Sequence, residues 1–368
     1  MVTETTTGYT QIELLTLSGP EYRRVSTNPP RPPTEDEIPI IDLTPIDGDL
    51  ESRKELAMKI RKAAQNTGFF YIKNHGISDN LIERALSQAK AFFAQSDAEK
   101  DKVSFRKSQI AEGYHQVGST QINHKESRDN KETFSIRYNP EYDPTVANPD
   151  HLLANKAYSY GGDGFLWDGT SHLPKFRETT IEFWERRLTL ARKMVSIFAL
   201  ALNLPEDYFN EMITHPGADG LYIHYPGTGD TETNVELTKQ VDAGIGSHTD
   251  IQCLTLLWQD MSGGLQVLSA SDEWLDAQPI PGTLVVNIGD FLQRLSNNTF
   301  KSTVHRVHNR QTTSRYSMPF FLGFNPDAIC EVVPSCIDEE HPALYDPISC
   351  GEWHRSRLAL AQRQIIVK

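Results

Sequence analysis

His248-Thr249-Asp250 sets an imidazole and a carboxylate two positions apart. In an extended strand, residues i and i+2 project to one face, so His248 and Asp250 are expected to grip a metal ion from the same side. Alone the pair carries little weight, because a chain with 12 histidines will contain His-x-Asp by chance. A second imidazole follows at His305, in Ser302-Thr303-Val304-His305-Arg306-Val307. Two histidines and one carboxylate on one face of a metal leave the other face open. That donor set suits non-haem iron(II), which then takes a chelating ligand and dioxygen together. His308 competes with His305, but strand parity turns it the other way, and it is read as a non-ligand. The third element is Arg315-Tyr316-Ser317. Arg315 and Ser317 share a strand face, and a guanidinium beside a hydroxyl is a clamp for a carboxylate. A surface arginine beside a serine would explain Arg-x-Ser in isolation; the order of the three elements gives it meaning.

These residues need a β framework, and the chain supplies one after Leu221. Short apolar runs at Leu221–Tyr225, Cys253–Trp258, Leu265–Leu268, Thr283–Ile288, Thr303–His308 and Tyr316–Phe324 alternate with turn signals such as Gly263-Gly264, Pro281-Gly282 and Asn297-Asn298. Many short strands with regular turns predict a sandwich or barrel. Ser349-x-x-Glu352 has capping-box spacing and predicts a closing helix to about Gln362. Upstream, strands are predicted at Ile38–Leu43 and Gly68–Ile72, and helices at Glu55–Gln65 and 80–95, with Ser96-x-x-Glu99 capping a further turn. Trp184, Leu188, Ala191, Val195, Phe198 and Leu202 step by four and three, which marks 176–202 as a core-facing scaffold helix rather than a cofactor site. The polar, proline-rich residues 1–37 read as an extended arm, with Pro29-Pro30-Arg31-Pro32-Pro33 favouring polyproline II. The expected fold class is α+β with a mainly β core. The expected segments are the arm 1–37, an α/β region 38–150, a helical support 151–210, the β core 211–330 and a C-terminal helix region 331–368.

Composition narrows the function classes. A net charge of −13 disfavours a nucleic-acid partner, since phosphate binding needs a basic face. Cys253, Cys330, Cys336 and Cys350 form no C-x-x-C pair, so they read as reduced thiols rather than a disulfide or zinc framework. Residues Met1 to Gly8 lack the basic and apolar regions of a secretory leader, and no apolar run approaches the ~18 residues of a membrane helix. The expectation is a cytoplasmic protein with a small-molecule substrate and no membrane partner. Nothing in the pattern sets an oligomeric state.

Taken with their surroundings, these motifs resemble the 2-oxoglutarate/Fe(II) dioxygenase superfamily, in the branch that includes isopenicillin N synthase and the plant flavonoid and gibberellin oxygenases. The resemblance runs from about Ile38 to Gln362. It is carried by Ile38-Pro39-Ile40-Ile41-Asp42-Leu43, Gly68 to Gly76, Phe92-Phe93 with Glu99-Lys100, and Asn130-Lys131-Glu132-Thr133-Phe134. It continues through His248-Thr249-Asp250, Gly263-Gly264-Leu265-Gln266-Val267, Asn287-Ile288-Gly289-Asp290, His305-Arg306-Val307 and Arg315-Tyr316-Ser317. The resemblance implies a double-stranded β-helix, or jelly roll, with flanking helices. It implies Fe(II) on His248, Asp250 and His305, and 2-oxoglutarate with its distal carboxylate on Arg315 and Ser317, assisted by Tyr225. O2 would be the oxidant. Tyr114 and Phe134 match a region that lines the substrate cavity in such enzymes, and Phe321, in Met318-Pro319-Phe320-Phe321-Leu322, is a further candidate wall residue.

One departure stands out: Ile223 precedes Tyr225 where many plant members carry asparagine. Asp250 argues against the halogenating relatives, which lack the carboxylate ligand. His75, in Asn74-His75-Gly76, reads as a hydrogen-bonded turn residue. The implied activity is hydroxylation, desaturation or cyclisation of a small organic metabolite, in secondary metabolism. Two rivals stay open: a 2-oxoglutarate-independent oxidase of the isopenicillin N synthase type, whose Arg-x-Ser pair would hold the substrate's own carboxylate, and a non-catalytic jelly-roll module holding zinc.

Overall fold

Two β-sheets face one another, and the three motif elements lie on both. The computed structural model describes residues 8–155, 162–227, 244–308 and 312–366. Strands β1 (Tyr9–Thr16) and β2 (Gly19–Ser26) form an N-terminal hairpin. Next come β3 (Ile40–Asp42), β4 (Phe69–Lys73), β5 (Gly113–His115), β6 (Glu132–Ile136) and β7 (Ala218–Tyr225). They are followed by β8 (Ile245–His248), β9 (Leu254–Gln259), β10 (Leu265–Leu268), β11 (Trp274–Asp276), β12 (Thr283–Ile288), β13 (His305–Val307) and β14 (Arg315–Leu322). The larger sheet has the order β3-β4-β12-β9-β14-β7-β6-β5, and the smaller one β11-β10-β13-β8. Apart from the parallel β3–β4 pair, neighbours in both sheets run antiparallel, as a jelly roll requires. The predicted α+β class with a jelly-roll core and flanking helices is the observed one.

The helices cover one side of the larger sheet: α1 (Leu50–Asn66), α2 (Asp79–Phe93) and α3 (Phe176–Ala201). Asp49 and Ser78 cap α1 and α2 by accepting from Ser52 N and Leu81 N. All six residues of the predicted stripe are buried, five of them on α3 and Leu202 just past its end. They pack in a core with Phe92, Phe134, Tyr222, Phe320 and Leu322. Arg187 is buried in the same layer, yet it is satisfied. It donates to the carbonyls of Phe183 and Pro319 (3.2 and 3.0 Å) and lies 4.0 Å over the Phe183 ring, and burial brings its pKa down to about 9.

Between the two sheets lies a second, smaller core containing Phe69, Tyr71, Ile223, Tyr225, Val267, Val285 and Val307. Alternation on β14 divides its side chains between the layers: Met318, Phe320 and Leu322 enter the helix-side core, which leaves Arg315, Ser317 and Phe321 on the inward face. Short helix α4 (Asp290–Leu295) follows β12, and α5 (Cys350–Ile366) closes the chain, with Ser349 Oγ accepting from Glu352 N as the capping spacing predicts.

The arm expected over residues 1–37 contains the β1–β2 hairpin. Its turn is made by Gly19 at φ +112, with Thr16 Oγ1 donating to the Gly19 carbonyl. Val25 is buried against Leu268, Trp274 and Val304, with Ile12 and Leu14 alongside. The exposed polar residues between these apolar ones mask the strand pattern in the sequence. Among the described residues, no helix is long and apolar enough to cross a membrane.

Candidate active site

Strands β8 and β13 pair in register at His248↔His305, so the two imidazoles are cross-strand neighbours. Their ring centroids are 4.3 Å apart. In each ring Nδ1 faces a backbone carbonyl, Gly246 O for His248 (2.8 Å) and Thr303 O for His305 (3.1 Å). A carbonyl only accepts, so both Nδ1 atoms carry the proton and both Nε2 lone pairs are free. Burial, then the neighbouring His305, pushes the pKa of His248 down to about 4, which keeps the ring neutral and able to bind a metal.

Asp250 reaches the same point by a different route from the one its spacing predicts. β8 ends at His248, and Asp250 lies in the loop that follows, outside the strand. Its carbonyl accepts from Asp290 N (2.7 Å), and Oδ2 accepts from Asn287 Nδ2 (2.7 Å) and from Thr255 Oγ1. These bonds, from β9, β12 and α4, fix the carboxylate. Oδ1 is left 3.7 Å from Nε2 of both His248 and His305. Among the described residues this is the one group of three or more metal-binding side chains whose donor atoms converge, all within 4.8 Å of one another. His308 is not part of it. Burial opposes ionisation of Asp250, but His305, His248 and its two hydrogen-bond donors outweigh burial and hold its pKa below the ordinary value.

Further along the inward face, Arg315 is 1% exposed. Its Nε donates to Gly263 O (2.6 Å) and Nη2 to Gln259 Oε1 (3.0 Å), while Nη1 is buried with no partner. No carboxylate of the described residues pairs with it. A buried guanidinium with neutral acceptors and one orphaned N–H calls for an anion. Tyr225 is its register partner on β7 and lies under it, 4.7 Å from guanidinium carbon to ring centroid. Ser317 sits beside it, between Ile223 and Gln259. The Ile223 departure therefore places an apolar side chain in the inner core next to this clamp.

The candidate substrate residues divide. Phe321 lies on the inward face, partly exposed, between Asp219 and Thr255. Tyr114 and Phe134 do not join it: both are buried in the helix-side core. Phe134 packs on Phe92 and Phe176, and Tyr114 donates to Glu132 Oε2 (2.7 Å). The parity of β6 is the reason, since it turns Phe134 outward with Tyr222 and leaves Thr133 and Ser135 facing in. His75 is the turn residue expected, its Nδ1 accepting from Ile77 N. Thr255, Asn287 and Gln259 hold the site, and the sequence reading assigns them no role; only Asn287 lies in a motif that could have drawn attention.

Comparison with known proteins gives the family. The model for the 2OG-Fe(II) oxygenase superfamily matches residues 219–324, and that for the non-haem dioxygenase in morphine synthesis N-terminal region matches 38–156. The 2-oxoglutarate-Fe(II) type oxidoreductase ppzC of Metarhizium majus is 38% identical over 353 residues, covering 95% of this chain and 94% of its own. The chain belongs to the 2-oxoglutarate-Fe(II) oxygenase superfamily. Another member, the oxidoreductase hxnY of Emericella nidulans, is 33% identical over 86% of this chain and 88% of its own. Among solved oxygenases of the superfamily, Neurospora crassa T7H in complex with alpha-KG and thymine superposes with a TM-score of 0.72 at 28% identity, covering 91% of this chain and 99% of that one. Fe(II), 2-oxoglutarate and O2 are accordingly the cofactor, co-substrate and oxidant of this oxygenase.

Proposed function

We propose that this oxygenase oxidises a small organic metabolite of secondary metabolism, with His248, Asp250 and His305 holding iron and Arg315, Ser317 and Tyr225 holding the distal carboxylate of 2-oxoglutarate. The donor set fits: two neutral imidazole nitrogens and one carboxylate oxygen share a point. The observation that carries the co-substrate assignment is the buried Arg315, whose Nη1 lacks a partner on the same inward face. When bound, iron and 2-oxoglutarate together activate dioxygen for attack on a C–H bond of the substrate. The protein's own part is positional. Gly246 and Thr303 set the imidazole tautomers, Asn287 and Thr255 aim one oxygen of Asp250, and Gln259 and Gly263 point the Arg315 fork inward. Phe321 offers an apolar surface beside them.

The segment division into 1–37, 38–150, 151–210, 211–330 and 331–368 belongs to the same proposal, and the family matches over 38–156 and 219–324 support its second and fourth parts. The four free cysteines, three of them buried, support a reducing and so cytoplasmic setting.

Anaerobic titration of the Fe(II) protein with 2-oxoglutarate should give a visible charge-transfer band, and turnover should release succinate. Absence of the band together with succinate-free turnover would establish the rival oxidase instead.

A further inference from the structure

One row of inward side chains crosses the larger sheet from the metal site to its far edge. Thr255 on β9, whose hydroxyl donates to Asp250, pairs with Phe321 on β14, and Phe321 pairs with Asp219 on β7. The Ile136↔Gly220 pairing then puts Arg137 opposite Asp219. At about 4.8 Å per strand, Asp219 stands roughly 10 Å across the sheet from the strand carrying Thr255, a span suited to a one- or two-ring molecule. Asp219, Leu221 and Phe321 are all partly exposed although they face inward, whereas Ile223, Tyr225, Arg315 and Ser317 further along are buried. The inner face is therefore open to solvent at this end and closed at the Arg315 end.

The polar pair at the open end is incompletely used. Arg137 Nη1 donates to Asp219 Oδ2 at 2.8 Å, and Gln252 Nε2 donates to the same oxygen at 3.2 Å. Arg137 Nε is buried without a partner, and Asp219 Oδ1 accepts nothing from the described residues. One unused donor and one unused acceptor thus stand on a single ion pair. The charge balance tells which ligand they suit. Two cations have inward parity on this side of β6, and both are already matched, Arg137 by Asp219 and Lys131 by Asp129 at 3.5 Å. Burial, then the charge of Asp163, pushes the adjacent Glu112 carboxyl up to about 7, so it adds no full negative charge to the pair. His354 on α5 faces the pair, and burial holds its ring in the neutral form.

Building on the oxygenase reading above, we infer that Arg137 and Asp219 form the recognition site for a neutral substrate bearing an amide-type edge, a cyclic amide or a related N-heterocyclic carbonyl compound. The substrate carbonyl accepts from Arg137 Nε, its N–H donates to Asp219 Oδ1, and the ring lies toward Phe321 and the metal site. A carboxylate would satisfy Arg137 but would face Asp219 as a like charge, and a bare ketone would leave Oδ1 unanswered. Each partner left unmet by the ligand opposes binding, which makes the edge a specificity determinant.

The test is calorimetric titration of the anaerobic Fe(II)·2-oxoglutarate protein with three ring probes: 2-pyrrolidinone, cyclopentanone and cyclopentanecarboxylate. The lactam is expected to bind at least about tenfold more tightly than either of the others. Arg137→Lys keeps the charge opposite Asp219 but lacks the Nε donor, and it should erase that preference with the melting temperature unchanged. Asp219→Asn is a second variant. With its oxygen kept by Arg137, it would turn an N–H toward the lactam N–H and should also lose the preference. Tightest binding of the carboxylate, or a lactam preference that survives both substitutions, overturns the inference. Because no oxygen is present, binding is read apart from turnover. Loss of the chelate band with lactam preference intact would count against the oxygenase centre and leave this site standing.

Discussion

Asn287 and Thr255 hold Oδ2 of Asp250 while Oδ1 turns to the two imidazoles, so the geometry of the proposed ligand set depends on residues outside it. Partners of this kind contribute roughly 10–100-fold in metal affinity. Asn287→Ala should weaken Fe(II) binding by about that factor, as read by competition with a chromogenic chelator. Glu112 supplies a pH signature of its own. Its folded pKa of about 7 lies above the ordinary 4.5, so the folded state holds the extra proton between those values and stability falls as pH rises through the interval. Glu112→Gln should flatten that fall and be the more stable protein above pH ~7, by roughly 2–3 kcal/mol, as checked by denaturant titrations from pH ~5 to ~8. At this scale the sequence exposes residues with short, local patterns: His248 with Asp250, and Arg315 with Ser317. It hides residues whose meaning comes from a distant partner, such as Arg137 and Asp219, 82 positions apart. Tyr114 and Phe134 mislead for a related reason, since aromatics near a site and aromatics in a core look alike until strand parity is known.

Elements were legible in proportion to their length and period. The long α3, with five stripe residues stepping by four and three, reads directly, and so do the capped starts of the turn after Ser96 and of α5. Strands β5, β11 and β13 are three residues long, too short for an alternating pattern to emerge. The β1–β2 hairpin escaped because polar residues interrupt its few apolar ones and only Val25 and Ser26 at its end are fully buried. It is nonetheless tied to the site: Asn123 Nδ2 donates to Glu13 O on β1 and to Ser247 O on β8, each at 3.0 Å. α5 is tied in as well, since Arg357 donates to Leu15 O on β1 (2.9 Å) and to Asp290 Oδ2 (2.7 Å). Asp290 also receives Thr249 Oγ1 (3.1 Å) and Ser302 Oγ (2.7 Å), so one carboxylate gathers the segments on either side of the candidate site. Burial raises its pKa, and the charge of Arg357 is the chief counterweight. Removing one partner of such a pair costs about 3 kcal/mol or more. Arg357→Met should lower the melting temperature accordingly and speed hydrogen exchange at Thr249 and Asp250, with α1 to α3 unaffected.

For the molecule as a whole, the jelly roll was foreseeable because turn signals punctuate the apolar runs after Leu221 and because the motifs fall in a known order. Strand order was not, since chain neighbours separate: β8 pairs with β13, and β9 lies between β12 and β14. That order has a thermodynamic consequence. His248 and His305 belong to the smaller sheet, whereas the carboxylate of Asp250 is fastened to Thr255 and Asn287 of the larger one. An ion bound by all three is a rivet between the two layers, and its binding free energy is also free energy of holding them together. A ligand that binds only the folded state adds about 2.7 kcal/mol when its free concentration is a hundred times its dissociation constant. Chelation should therefore lower the melting temperature by several degrees and loosen amide protection first along β8 and β13, where the small sheet loses its fastening, while the helix-backed sheet stays closed. The reagent that makes the chemistry possible would then also be the part that keeps the two halves of the barrel from breathing apart.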